Sequence, residues 1–203
     1  MRYRVRHATS YRYAETVDLA CHLLHLSPRA LPEQRVLAAH ITAAPEPSRV
    51  VTREDYFGNT VGWLFLDRPH AQFAVTLAAE VEVAPAPAPP AAATPPWETV
   101  VATAMRSEAA EFAFASPMAP AEAAAGSYAA ASFPPGRPVL AGLLDLTRRI
   151  HQDFAYRPGA TSVATPVARV LSERAGVCQD FAHLMIAALR AFGLPARYVS
   201  GYV

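Results

Sequence analysis

A thiol held at the start of a helix is a chemical opportunity, because unpaired N–H groups and aligned backbone dipoles favour the thiolate. Cys178 has that setting in the sequence. A helix is predicted to begin at Val177 or Cys178 and to run to Phe192, where Gly193 and Pro195 end it. The N–H of Cys178 would then also donate to the oxyanion formed when sulfur attacks an acyl carbon. The chemistry implied is acyl transfer or amide hydrolysis through a thioester. A cysteine ahead of Phe181, Leu184 and Met185 also suits a small buried hydrophobe, so its place at the helix start carries the argument.

Such a nucleophile needs a base. His183 follows Cys178 by five positions, about 140° around a helix and away from the thiol. His151 closes an upstream amphipathic stretch and suits packing or capping, while His7 and His70 fall in strand-like sequence and suit structural hydrogen bonds. Asp180 fits the first helical turn as a capping carboxylate, and Gln179 fits it as a solvated side chain. Cys21-His22-Leu23-Leu24-His25 offers zinc-type donors. In a strand, however, Cys21 and His25 share one face while His22 takes the other, so no metal site is expected, and no cofactor motif is present.

Composition removes other chemistries. The 203 residues contain 18 basic side chains, all arginine, so no lysine is present to form a Schiff base. Against 17 acidic residues the net charge is +1, which gives no overall field for nucleic acid or anionic lipid. No apolar run approaches the ~20 residues of a membrane helix. The stretch Met1–His7 lacks the apolar core of a secretory signal, so a cytoplasmic setting is expected, with the two distant cysteines reduced. Arg2, Arg4, Arg6 and Arg12 share one strand face and are expected to be a solvated, edge-protecting surface.

Three kinds of segment must position the thiol. From Arg2 to Val83 the period is two, predicting six or seven antiparallel strands in a sandwich. The clearest is Gln72–Val83, with Phe73, Val75, Leu77, Ala79, Val81 and Val83 on one face. A strand is expected over Val36–Ala43, and a hairpin with a II′ turn at Gly58-Asn59 is expected between Val50–Phe57 and Thr60–Leu66. The proline-rich run after Val83 reads as a linker. Residues 97–135 offer only short helices without a strong face, at Glu108–Phe114 and Glu122–Ala131. Beyond them Leu140, Leu143, Leu144, Ile150 and Phe154 mark one helix face. Thr165-Pro166 is expected to open a further helix that Gly176 ends, and Arg197–Val203 reads as a strand. The division is 1–84 for the sandwich, 85–96 for the linker and 97–203 for a partial core.

Arg174-Ala175-Gly176-Val177-Cys178-Gln179-Asp180-Phe181-Ala182-His183-Leu184, with Gly193-Leu194-Pro195-Ala196-Arg197-Tyr198-Val199-Ser200-Gly201-Tyr202, resembles the nucleophile segment of bacterial transglutaminase-like cysteine enzymes. Phe154–Thr161 and Thr165-Pro166-Val167 resemble the approach to that core. Tyr3–Tyr13, Leu26-Ser27-Pro28-Arg29, Asp55-Tyr56-Phe57-Gly58-Asn59 and Pro69-His70 resemble the β-rich region ahead of it. The resemblance implies an α+β fold: an N-terminal antiparallel β-sandwich followed by the helical first part of a papain-like transglutaminase core, with Cys178 catalytic. It implies a protein or peptide substrate, and a histidine and an aspartate on later strands. Those partners are expected beyond Val203, which would leave this stretch inactive by itself. The alternative is a non-catalytic binding or scaffold protein with a degenerate core. An exposed edge at 197–203 is expected to favour self-association.

Overall fold

Alternation over residues 70–83 places every second side chain on one face, and that face becomes the core of the first half. The protein is described here by a computed structural model that covers residues 1–202. It divides into two units, one of residues 1–87 with the tail from Gly201, the other of residues 88–200. The fold class is α+β.

The first unit holds β1 (Arg2–Val17), β2 (Ala20–Leu24), β3 (Gln34–Ala44), β4 (Arg49–Glu54), β5 (Thr60–Leu66) and β6 (His70–Val83). They form two antiparallel three-stranded sheets, ordered β1-β6-β3 and β2-β5-β4. Phe73 and Val75 of β6 pack against Leu24, Leu64 and Leu66 of the other sheet, which makes the unit a sandwich. Each such side chain contributes roughly 1.5–3 kcal/mol on burial. A one-residue slip of β6 would turn the whole set to solvent, so the register is firmly fixed.

Two details depart from the sequence reading. The link between β4 and β5 is a five-residue loop, Asp55 to Asn59, not a two-residue II′ turn. Gly58 supplies the positive φ (+77°), but at the fourth turn position, where its N–H donates to Asp55 O. The Asp55 carboxylate builds this loop by accepting from the N–H groups of Phe57 and Asn59. In β3 a bulge between Val36 and Ala38 changes which parity faces inward, pairing Val36 with Val81 but Ile41 with Leu77.

The second unit contains α1 (Trp97–Ala104), α2 (Ala123–Ala129), α3 (Val139–Asp153), the short parallel pair β7 (Ala155–Tyr156) and β8 (Ala175–Gly176), α4 (Val167–Glu173) and α5 (Cys178–Ala191). α5 is central, with Leu184, Ala187 and Ala188 sealed in the core. α2 lies so close to it that a Cβ on Gly126 would sit 2.8 Å from Ala191 Cβ. Residues 97–135 therefore hold two α-helices. Of the two helices expected there, Glu108–Ala113 is a 3₁₀ turn and 122–131 contains α2.

Further corrections concern helix ends and faces. α3 buries Gly142, Leu146 and Ile150 while Leu144 is exposed. α4 starts at Val167 behind Pro166 and ends at Arg174, which takes the left-handed conformation (φ 50°, ψ 37°), so Gly176 is not its cap. Val203, the last residue of the strand expected over Arg197–Val203, lies outside the described residues, and residues 197–202 form no strand. The stretch before them is braced by Arg190, whose guanidinium donates to Phe112 O, Ser116 Oγ and Ala196 O.

Candidate active site

Four residues make the turn that presents Cys178. Arg174 reverses the chain after α4, and its guanidinium lies 5.0 Å from the Tyr128 ring centre and 4.9 Å from that of Phe154. These two stacking contacts offset the cost of a left-handed arginine. Ala175 and Gly176 then pair with Ala155 and Tyr156, fixing the approach to α5. Val177 is extended (φ −119°, ψ 178°), and Cys178 is the first helical residue.

Asp180, third in the helix, folds its carboxylate back over this turn. Its Oδ2 accepts from the Val177 N–H at 2.7 Å and from Thr161 Oγ1 at 2.6 Å. This is half of a capping box, since the valine side chain has no oxygen to return the bond. Gly176 is required beneath it, because a Cβ there would lie 2.9 Å from both the Cβ and Oδ2 of Asp180. The carboxylate is buried, and it is matched by two donors and the positive end of the helix.

Cys178 is exposed at the head of α5. The first N–H groups of a helix lack partners within it, so this thiol sits beside donors that the helix ladder leaves open. Its exposure sets it apart from a core side chain.

The histidines weighed from sequence do not join it. His183 is half-buried on α5 with its ring 5.4 Å from that of Tyr198, and burial pushes its pKa below the ordinary value, opposed by Asp180. His151 is exposed in the last turn of α3. Among the described residues neither is hydrogen-bonded to Cys178. Cys21 in β2 and His25 just after it are exposed, while His22 turns inward and stacks on Phe73 with ring centres 3.8 Å apart. Among the described residues no group of three or more histidine, cysteine or carboxylate side chains could hold a metal. No described helix is long and apolar enough to cross a membrane.

Sequence reasoning missed Thr161 and Arg174. Both lie in the segments that carry the family resemblance, but a contact spanning 19 positions and a left-handed arginine leave no local mark.

Residues 3–82 match the family described as the bacterial transglutaminase-like N-terminal region, and residues 130–203 match the transglutaminase-like superfamily. An uncharacterized protein of Mycobacterium tuberculosis is 41% identical over 206 residues, covering 100% of this chain and 66% of its own length. One of Mycobacterium leprae is 31% identical over 205 residues, covering 100% of this chain and 71% of its own. The chain thus spans about two thirds of the length of these relatives. A crystal structure of "a Putative Cysteine Protease from Cytophaga hutchinsonii" shares the fold at TM-score 0.76 and 21% identity, over 96% of this chain and 65% of that one.

Proposed function

The chain belongs to the transglutaminase-like superfamily, with that family's bacterial N-terminal region ahead of the core, and from this premise we propose that Cys178 is a thiol nucleophile for acyl transfer or amide hydrolysis. The observation that carries the reading is its exposure at the first position of α5, behind a turn fastened by Asp180. The sulfur attacks a carboxamide or peptide carbonyl, a C–S bond forms, and the C–N bond breaks as an imidazolium protonates the leaving nitrogen. Water or an amine then releases the acyl group. A protein or peptide is the substrate class.

No imidazole among the described residues is bonded to the thiol, so this reading assigns the base and its carboxylate partner to further chain such as the longer relatives have. The 203 residues alone would then turn over little substrate. A reducing, cytoplasmic setting fits two free, exposed cysteines.

The test compares two thiols in one molecule. Because Cys21 and Cys178 are both exposed, access alone does not separate them. Iodoacetamide labelling followed by mass spectrometry should modify Cys178 about three- to fivefold faster than Cys21, the gain expected from a helix terminus. Equal rates would sink the proposal and leave the scaffold reading standing.

A further inference from the structure

We infer that the outward face of the β1-β6-β3 sheet is a docking trough for an extended acidic polypeptide segment. Its argument begins with register. Arg4 stands beside Glu80 and Ala38 across the three strands, Arg6 beside Ala78 and His40, and Ser10 beside Ala74 and Ala44. Because side chains alternate, these residues share the side of the sheet away from the core. The middle of that face is built from alanine, serine and threonine, so no long side chain fills it, whereas the β1 side carries arginines.

The outcome is visible as two shallow depressions along β6. One, of about 330 Å³, is lined by Arg4, Arg6, Ala78 and His40; the other, of about 380 Å³, by Ser10, Arg12, Gln72 and Ala74. They lie along the same strand, at Ala78–Glu80 and Gln72–Ala74, six residues apart by register, a separation of roughly 20 Å in extended chain.

Charge identifies the occupant. Arg2 pairs with Glu80 at 2.7 Å, and Arg35 pairs with Glu82 at 2.7 Å, which uses both acidic side chains of the face. Arg4, Arg6 and Arg12 are exposed beside them and belong to no ion pair among the described residues. Five arginines against two glutamates leave three excess positive charges on one face of a chain whose whole net charge is +1. Solvation and edge protection would need charges only along β1 and β3, the two edge strands. They do not call for a bare floor under them.

Spacing and floor chemistry favour extended polypeptide. Arg4, Arg6 and Arg12 follow one strand over about eight residues, a line of roughly 27 Å that an extended chain of similar length tracks. Single-stranded nucleic acid binds by stacking bases on aromatic platforms. On the outward parity the ring among the lining residues is His40, while Tyr11 and Phe73, which also line the second depression, pair with each other on the parity of the core.

The experiment uses the whole chain and a fluorescein-labelled octaglutamate peptide, followed by anisotropy at about 20 mM and about 300 mM salt. Binding should appear at low salt and fade at high salt. The double variant Arg4→Ser/Arg6→Ser should weaken it about tenfold, the loss expected for two partly exposed charge contacts. The double variant Arg53→Ser/Arg106→Ser, equal in charge change but off this face, should stay within about twofold of the parent. No binding at low salt, or equal weakening by both variants, overturns the inference. Tighter, equally Arg4/Arg6-dependent binding of an octathymidine strand would overturn the choice of occupant. Circular dichroism melts of each variant separate a lost contact from a lost fold.

Discussion

Thr161 Oγ1 donates a 2.6 Å hydrogen bond to Asp180 Oδ2, the same oxygen that accepts the Val177 N–H at 2.7 Å. One carboxylate oxygen thus joins the loop after β7 to the turn that carries Cys178. Neither bond is local in the sense of a helix ladder, and both end on a buried charge.

Removing that carboxylate leaves an N–H with no partner beside the helix start. Asp180→Ala is expected to destabilise the second unit by about 1–3 kcal/mol, and Thr161→Val by about 1 kcal/mol. The double variant should cost less than the two losses added, because one bond is deleted twice. Urea denaturation of the three variants and the parent gives the coupling; strict additivity would mean that the two side chains do not interact in solution.

Gly126 sets intrinsic helix preference against packing. Alanine in place of a helical glycine is favourable by about 1 kcal/mol on propensity alone. Here the added Cβ would meet Ala191 Cβ at 2.8 Å, between two backbones that cannot separate without opening the core. Gly126→Ala should therefore destabilise by about 1–3 kcal/mol, and Ala191→Gly in the same molecule should recover part of it. A gain in melting temperature for Gly126→Ala would refute the close approach of α2 to α5.

The sandwich should weaken in mild acid through His22. Burial first, and His70 second, push the His22 imidazole's pKa below its ordinary 6.5. The unfolded chain therefore takes up this proton first, so the stability linked to His22 is whole above 6.5 and is lost as pH falls below it. The neighbouring His70 ring is held by the backbone, its Nδ1 donating to Arg68 O, and its buried Nε2 has no hydrogen-bond partner. His22→Phe keeps a ring against Phe73 while removing the titration. Urea midpoints at about pH 7.5 and about pH 5.5 should move apart more for the parent than for this variant; identical shifts would exclude His22 as a source.

What could be foreseen divides along physical lines. The run Phe73–Val81 was legible because burial alternates with the strand period, and the head of α5 because Gly176 and Gly193 bracket an apolar run. α2 was not, since its contact face is Ala125, Gly126 and Ala129, residues whose smallness rather than hydrophobicity brings helices together. The same blindness misassigned α3. Gly142, facing the Phe133 ring, belongs to the buried stripe with Leu146 and Ile150, while Leu144, two positions on, points to the opposite side. The β3 bulge was equally silent, because one extra residue changes parity without changing composition. Of the site, the thiol and its helix position could be read; the Thr161 bond and the Arg174 reversal depended on tertiary contact.

Arg190 gives the region behind α5 a shared fate. By fastening residues 112, 116 and 196 to one guanidinium, while Ala196 N–H donates to Phe112 O at 3.1 Å, it makes three sequence-distant stretches open together or not at all. In an amide-exchange map the Ala196 proton should therefore be retained as long as those of the last turn of α5, even though it lies in no helix or strand.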